Sequence, residues 1–280
     1  DIMKKEISWY LNCKNRNLDF NIPKLLDYTN NTIVLENLCV NNESHPVYQI
    51  FEECDEELKA HIVQKYIEAL DKLHDNKILV PKDLFLDDIK QETIFKLKSR
   101  VGLIQEIIDC FPKFEYVNKI KVRSFEEVLN DIEFEINSIY GLFDKSNCIY
   151  SFIHGDPQLS NSIFDKKNDK IYLFDPRGYF GKTKLYGLAD YDYAKLLFGL
   201  FGYDKLNNDK YFYIKNMNNN EIDFEMPKIH NYEYNWVNKR IKILCLTIWL
   251  GLAQYFQNDV QKCLATYYYS LYLAETYLKL

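Results

Sequence analysis

Polar residues of types that can move protons and bind metals lie close together between residues 154 and 175. Residues 154–161 read HGDPQLSN, so a histidine, an aspartate and an asparagine follow the pattern H-x-D-x-x-x-x-N. Asp175 ends the next apolar run, fourteen residues after Asn161. Phosphoryl transfer needs a carboxylate that orients the accepting hydroxyl group, and oxygen ligands that hold Mg²⁺ on the nucleotide phosphates. In this pattern Asp156 can act as the base, and Asn161 and Asp175 can act as metal ligands.

A purely structural interpretation of the same residues stays open at this point. Asp and Asn side chains often bond to nearby backbone groups in turns, so His154 and Asp156 could only cap a turn. Asn161 and Asp175 could likewise only flank a hairpin. The apolar runs CIYSFIH, SIF and KIYLF predict strands, and the polar DKKNDK between the last two predicts a tight turn. Such a hairpin would return Asp175 to the side of Asn161.

The apolar pattern of the whole chain predicts the elements that position this loop. An amphipathic helix is predicted over residues 3–12, followed by a hairpin formed by NIPKLLDY and NTIVLENL. Further helices are predicted over residues 57–75, 97–110, 124–141, 188–201, 236–256 and 259–279. Two strands are predicted in YFYIK and IDFEM. Strands that are segregated from runs of helices indicate an α+β fold.

Composition and charge exclude several classes of protein. The chain has 280 residues, of which 47% are hydrophobic, as is typical of a folded globular protein. Its net charge is −6, with acidic and basic residues interleaved, so we expect no nucleic-acid partner. The apolar run 241–256 is too short and mixed to span a bilayer, and DIMKKEISWYL does not resemble a signal peptide. We therefore expect a cytoplasmic protein without a membrane span.

The seven cysteines are scattered and never form a CxxC pair. A disulfide framework or a zinc site would show tighter spacing. We therefore expect them to be buried thiols in a reducing compartment.

HGDPQLSN followed by IYLFDPRG resembles the aminoglycoside phosphotransferase/choline kinase family, the small-molecule branch of the protein-kinase-like fold. The resemblance implies that Asp156 is the catalytic base and that Asn161 and Asp175 hold Mg²⁺ on ATP. It implies that His154 steadies the catalytic loop. It also implies a two-lobed α+β fold, with a reduced N-lobe over residues 1–38 and a mainly helical C-lobe over residues 39–280.

Other segments carry the resemblance further. Leu35 to Leu38 looks like the hinge of that family, where the backbone of Glu36, Asn37 and Leu38 would meet the adenine of ATP. ALDKLHDNK at 69–77 looks like the helix of the family that ends in a Leu-His pair. In GLADYDYAKLLFG, Asp192 is the best match to the aspartate that accepts N–H bonds from the catalytic loop, with Asp190 second. Helix capping is the alternative role of both aspartates.

One part of the family's pattern is missing from this sequence. In the family, strands with a phosphate-covering loop and a lysine precede the αC-like helix, which residues 3–12 resemble here. Glu6 would be the partner of that missing lysine. We expect either that the sequence is a fragment or a domain of a larger multifunctional protein, or that the N-lobe is truncated and Lys4 or Lys5 substitutes.

The acceptor substrate is left open by the sequence. Arg177 directly after Pro176 could bind an anionic substrate group, or could form an internal salt bridge. The segment HNYEYNW at 230–236 could instead hold a cationic alcohol such as choline between the rings of Tyr232, Tyr234 and Trp236. Glu233 would then supply the counter-charge. DPRGYFG also resembles kinase-like domains of polysaccharide pathways, which favours a sugar or polyol.

Two other functions compete with a small-molecule kinase. A non-catalytic kinase-like binding module is favoured by the missing lysine and phosphate loop, but the complete set of Asp156, Asn161 and Asp175 argues against it. A metal-dependent hydrolase could use His154 together with the aspartates at 156 and 175. Such enzymes usually need more histidines than the chain can bring to this place.

Overall fold

The computed structural model describes residues 2–16, 20–39, 44–141, 147–207, 213–227, 229 and 234–280. In chain order, the described α-helices are α1 (Ile2–Asn15), α2 (Val47–Glu53), α3 (Glu56–His74), α4 (Lys82–Lys90), α5 (Lys96–Gly102), α6 (Gln105–Asp109), α7 (Phe125–Gly141), α8 (Ala189–Leu200), α9 (Tyr203–Asn207), α10 (Lys239–Leu250) and α11 (Val260–Glu275). The described strands are β1 (Leu25–Tyr28), β2 (Ile33–Leu35), β3 (Ser44–Pro46), β4 (Lys77–Pro81), β5 (Tyr116–Val117), β6 (Ile120–Lys121), β7 (Asn147–Phe152), β8 (Ser162–Asp165), β9 (Lys170–Leu173), β10 (Tyr179–Phe180), β11 (Thr183–Lys184), β12 (Tyr186–Gly187), β13 (Ile214–Met217) and β14 (Glu221–Phe224).

The predicted α+β class is confirmed by this order of elements. The predicted helix over 97–110 is wrong in one respect, because it is divided into α5 and α6. Gly102 ends α5, and glycine is a poor helix former. Similarly, α10 stops at Leu250, and the predicted continuation to residue 256 is a short 3₁₀ helix over Ala253–Phe256.

Residues 1–80 and 147–196 form one compact unit. It contains the hairpin of β1 and β2, the sheet β12-β7-β4, the sheet β3-β8-β9 and the small hairpin of β10 and β11. Helix α3 begins at residue 56 because the side chain of Asp55 accepts a hydrogen bond from the backbone N–H of Leu58. The apolar face of α3, which includes Ile62 and Leu70, is fully buried.

Trp9 is the centre of an aromatic cluster in this unit. Its ring lies 5.3 Å from the ring of Tyr10 and 5.4 Å from the ring of Phe152. Its indole N–H donates to the carbonyl oxygen of Ile153 at 2.8 Å. Aromatic pairs of this kind contribute about 0.5–1.5 kcal/mol beyond the burial of their area. Helix α1 is therefore fixed against the end of β7, directly before the polar loop.

Residues 81–146 and 197–280 form the second compact unit, which is mainly helical. Its sheet has the order β13-β14-β5-β6, in which β14 and β5 are parallel. The fully buried ring of Trp249 lies 4.8 Å from Phe198 and 5.0 Å from Tyr269 in the core of this unit. Asn238 and Asp259 cap the N-termini of α10 and α11 with their side chains. Of the two predicted strands here, β13 begins at Ile214, so it lies nearer the turn than YFYIK indicated.

Two sequence predictions concern the chain as a whole. Within the described ranges, no helix is long and apolar enough to cross a membrane.

All seven cysteines are free thiols, and four of them are buried as expected. Cys39 and Cys110 are exposed, so the prediction of burial is wrong for these two; Cys110 follows the last residue of the short helix α6, and Cys39 follows the segment after β2.

Candidate active site

The polar loop at residues 154–161 begins where β7 ends and is shaped by a glycine. Gly155 has a φ of +83°, which L-residues with a side chain rarely adopt. A Cβ atom at this position would lie 3.1 Å from the Cβ atom of Arg177 and 3.3 Å from the backbone nitrogen of Gly178. The loop can therefore pass closely beside the segment that follows β9 only because residue 155 has no side chain.

Asp192, in the first turn of α8, holds this loop by its backbone. One carboxylate oxygen accepts the N–H of His154 at 2.9 Å, and the other accepts the N–H of Gly155 at 2.7 Å. The Nε2 atom of His74 lies 3.0 Å from the first of these oxygens. Asp192 is fully buried, so its negative charge is compensated by these three donors instead of water. Helix α8 and the end of α3 are thus joined to the loop through one carboxylate.

His154 is fully buried and links the two halves of the site. Its Nδ1 atom accepts the N–H of Asp156 at 3.3 Å, and its Nε2 atom lies 2.9 Å from the carbonyl oxygen of Phe174. This pair of contacts requires a neutral ring with its proton on Nε2. Burial lowers the pKa of His154 below its ordinary value, although the nearby charge of Asp192 opposes the effect. The ring therefore acts as a fixed spacer between the loop and the residue before Asp175.

The hairpin of β8 and β9 brings Asn161 and Asp175 to the same end. Ser162 pairs with Leu173, and the ladder continues with the N–H of Phe174 donating to the carbonyl oxygen of Asn161 at 3.0 Å. The side-chain amide of Asn161 donates to the carbonyl oxygen of Asp156 at 2.9 Å. Since its amide nitrogen is used in this bond, Asn161 has its Oδ1 atom left as an acceptor. Amide and carboxylate oxygens are ligands that suit Mg²⁺, so Asn161 and Asp175 fit the role of metal ligands.

Asp175 carries two signs of a functional position. It adopts a φ of +57°, which is uncommon for a residue other than glycine but tolerated by aspartate. Its pKa is raised by partial desolvation and by the negative charge of Asp156. Burial and the charge of Asp175 also raise the pKa of Glu6. Negative charge therefore accumulates at this end of the hairpin, where a bound divalent cation would relieve the repulsion.

The structure adds Lys195, a residue that the sequence analysis did not identify. Its ammonium group lies 2.8 Å from the Oδ1 atom of Asp156. Burial lowers the pKa of Lys195, but the interactions with Asp156 and Tyr191 together outweigh this effect, and the pKa is raised overall. Lys195 is therefore charged at neutral pH. Its spacing of three residues from Asp192 on a helix is the only sequence signal that could have indicated it.

Arg177 lies beside the loop and is held by aromatic residues. Its guanidinium group donates to the hydroxyl oxygen of Tyr191 at 2.8 Å, and its Cζ atom lies 3.9 Å from the centre of the Tyr179 ring. The ammonium group of Lys5 also lies 3.9 Å from the centre of that ring. Two cations thus share one aromatic ring.

The other predicted site residues lie elsewhere in the chain. The backbone N–H of Glu36, which directly follows β2, donates to the carbonyl oxygen of Lys24 at 2.9 Å. The side chain of Asn37 accepts the N–H of Cys39 at 3.0 Å. Leu38, the third of these residues, is half-buried. The contact of this segment with adenine stays a prediction. Tyr234 and Trp236 lie in the second unit, with their ring centres 5.2 Å apart. Tyr232 and Glu233 lie outside the described residues.

Comparison with models of protein families found no match, and comparison with curated proteins found none. Among solved structures, the chain is similar to the gentamicin complex of APH(2'')-IIa, with a TM-score of 0.48 and 16% identity over 96% of this chain and 80% of that one. It is also similar to choline kinase LicA from Streptococcus pneumoniae, with a TM-score of 0.49 and 11% identity over 96% of this chain and 79% of that one. Both proteins are of the kinds that HGDPQLSN and its following aspartate resemble.

Proposed function

We propose that the chain is a kinase that uses ATP and Mg²⁺ to phosphorylate a hydroxyl group of a small molecule. The observation that supports this function is the convergence of Asp156, Asn161 and Asp175. The side-chain amide of Asn161 donates to the carbonyl oxygen of Asp156 at 2.9 Å. The backbone N–H of Phe174, the residue before Asp175, donates to the carbonyl oxygen of Asn161 at 3.0 Å. If His154 and Asp156 only capped a turn, that turn would not require the carboxylate of Asp175 after the separate strand β9.

Each residue has a defined task in this proposal. Asp156 orients the acceptor hydroxyl group and receives its proton, while Asn161 and Asp175 hold the metal through oxygen atoms. Bound Mg²⁺ would neutralise negative charge on the phosphates of ATP. His154 and Asp192 keep the loop in one conformation, which matters because positioning supplies much of the catalysis in phosphoryl transfer.

The acceptor is a sugar, a polyol or an amino alcohol such as choline, and a place in surface-polysaccharide synthesis accords with DPRGYFG. Arg177 supports an acceptor with an anionic group, since its Cβ atom lies beside Gly155, in the same loop as Asp156, and a guanidinium group binds anions well. A cytoplasmic location and the lack of a nucleic-acid partner stay predictions from the sequence.

A non-catalytic, kinase-like binding module is the second candidate, and the assay below distinguishes it from a kinase.

Transfer of labelled γ-phosphate from Mg·ATP to a panel of sugars, polyols and amino alcohols tests the function. We expect at least one acceptor to be labelled. In Asp156→Asn, kcat should fall by about 10²–10⁴-fold, because general-base catalysis contributes factors of this size. The affinity for Mg·ATP should change little, since the base acts mainly in the transition state. Undiminished transfer by Asp156→Asn would refute the role of Asp156, and a wild-type chain that binds Mg·ATP without any turnover would favour the binding module.

A further inference from the structure

Lys195 forms an ion pair with the proposed catalytic base from a separate element. The distance between its Nζ atom and the Oδ1 atom of Asp156 is 2.8 Å. The side chain of Lys195 is 15% exposed and that of Asp156 is 29% exposed, so the pair is largely shielded from water. Ion pairs on an open surface contribute little, whereas shielded pairs fix the geometry of both partners.

The position of Lys195 on α8 makes the contact geometrically specific. Residues three apart on a helix lie on the same side, so Lys195 and Asp192 face the loop together. Asp192 binds the backbone of the loop through the N–H groups of His154 and Gly155. Lys195 binds the side chain of the next residue, Asp156. One helix therefore fixes both the path of the loop and the direction of the carboxylate that the loop presents.

The surrounding charges keep Lys195 protonated and paired with Asp156. Arg177 lies close enough to Lys195 to disfavour its charge, so two cations repel each other there. Tyr191 accepts a hydrogen bond from Arg177 at 2.8 Å and holds the guanidinium group. The charge of Asp156 and its hydrogen bond, together with Tyr191, outweigh the burial of Lys195 and the repulsion, so the pKa of Lys195 is raised.

We propose that Lys195 is a positioning residue for phosphoryl transfer, which holds Asp156 by Oδ1 so that Oδ2 faces the acceptor hydroxyl group. This inference rests on the proposed kinase function. In the step concerned, the acceptor oxygen forms a bond to the γ-phosphorus of ATP. The bond from that phosphorus to the bridging oxygen breaks, and ADP leaves with the electron pair. The hydroxyl proton passes to Oδ2 of Asp156. Lys195 takes no proton and contacts no reacting atom in this account.

A double-mutant cycle of Lys195→Met and Asp156→Asn tests the inference. The rate of ADP release from Mg·ATP is measured for each variant, once with a labelled acceptor and once with water alone. Lys195→Met removes the ammonium group and keeps most of the side-chain length. We expect kcat to fall by about 10²-fold, the lower end of the contribution of a general base, with KM for ATP changed by less than about threefold. Lys195→Arg should restore a substantial part of kcat, because a guanidinium group can also bind one carboxylate oxygen.

The decisive comparison uses Asp156→Asn as the background. If Lys195 acts through Asp156, adding Lys195→Met to Asp156→Asn should change kcat by less than about threefold, because residues that act as a unit are not additive. An equal loss from Lys195→Met in both backgrounds would overturn the inference, since Lys195 would then act independently of Asp156. Lys195→Gln serves as a second variant if Lys195→Met does not fold, as judged by circular dichroism.

The result also separates this inference from the proposed function. A wild-type chain that releases no ADP and labels no acceptor would refute the kinase function, and the inference with it. An active wild-type chain whose Lys195→Met and Lys195→Gln variants keep full kcat would refute the inference alone. A loss confined to KM for ATP would also overturn it, because it would assign Lys195 to nucleotide binding.

Discussion

Removal of the Asp192 carboxylate should destabilise the chain more than any other single change near the loop. Asp192 is fully buried and accepts the N–H groups of His154 and Gly155 at 2.9 and 2.7 Å, with Nε2 of His74 at 3.0 Å. Hydrogen bonds to a charged group contribute about 1.5–3 kcal/mol each, and a buried donor that loses its acceptor keeps its desolvation cost. In Asp192→Ala, three buried donors lose their partner at once.

We expect Asp192→Ala to lower the free energy of unfolding by about 3–5 kcal/mol, the range for breaking a buried charged network by removing one partner. This loss is a large part of the roughly 5–15 kcal/mol that stabilises an ordinary domain. Asp192→Asn keeps the shape of the side chain but replaces one carboxylate oxygen with an NH₂ group, which then faces an N–H donor. Asp192→Asn should therefore lower the free energy of unfolding nearly as much as Asp192→Ala. Urea unfolding followed by circular dichroism measures both changes.

Asp190 provides the matched control on the same turn of α8. It is half-buried, unlike the fully buried Asp192, so Asp190→Ala should cost less than about 1 kcal/mol. A loss below about 1 kcal/mol for Asp192→Ala, or equal losses for the two variants, would refute the argument that this carboxylate holds the loop.

Two further predictions concern the titratable groups of the chain. Burial and the charge of Asp175 raise the pKa of Glu6 in the folded chain, so folding loses stability as the pH rises above the unfolded value of about 4.3. Glu6→Gln should therefore raise the free energy of unfolding at pH 7 by about 0.5–1 kcal/mol, with no gain below about pH 4 in the same urea assay; a gain that is independent of pH would contradict this cause. Burial raises the pKa of the Cys13 thiol to about 12, whereas Cys39 and Cys110 are exposed. A thiol reagent should therefore label Cys39 and Cys110 rapidly and leave Cys13 unmodified until the chain unfolds, and rapid labelling of Cys13 in the native chain would show that the packing of α1 is wrong.

The polar loop could be predicted because its parts are local in sequence. Asn161 and Asp175 are separated only by the hairpin of β8 and β9, so the apolar runs and the polar turn between them were enough to bring the two together. The spacing of His154 and Asp156 is likewise a local feature, and the hydrogen bond from the Asp156 N–H to the His154 ring follows from it. The local pattern was therefore enough to predict that Asn161 and Asp175 meet at one end of this hairpin.

Contacts that depend on packing between distant segments were not predictable in the same way. Lys195 lies thirty-nine residues after Asp156, and their contact depends on how α8 packs against the loop. The sequence indicated Asp192 only through resemblance, and capping of α8 was an equally valid role for it. Apolar periodicity also did not predict the division of α5 from α6 or the two-residue strands β10 and β11. Segments this short contain too few residues to show a helical or strand period.

Calorimetric titration of the chain with ATP, with and without Mg²⁺, tests the central claim most directly. We expect Mg²⁺ to strengthen ATP binding, because in the proposed function Asn161 and Asp175 would hold the nucleotide through the metal. We also expect Asp175→Ala to abolish this dependence on Mg²⁺ and Asp156→Asn to preserve it. ATP binding of equal strength with and without Mg²⁺, or full dependence on Mg²⁺ in Asp175→Ala, would contradict the assignment of a phosphotransferase site to this loop.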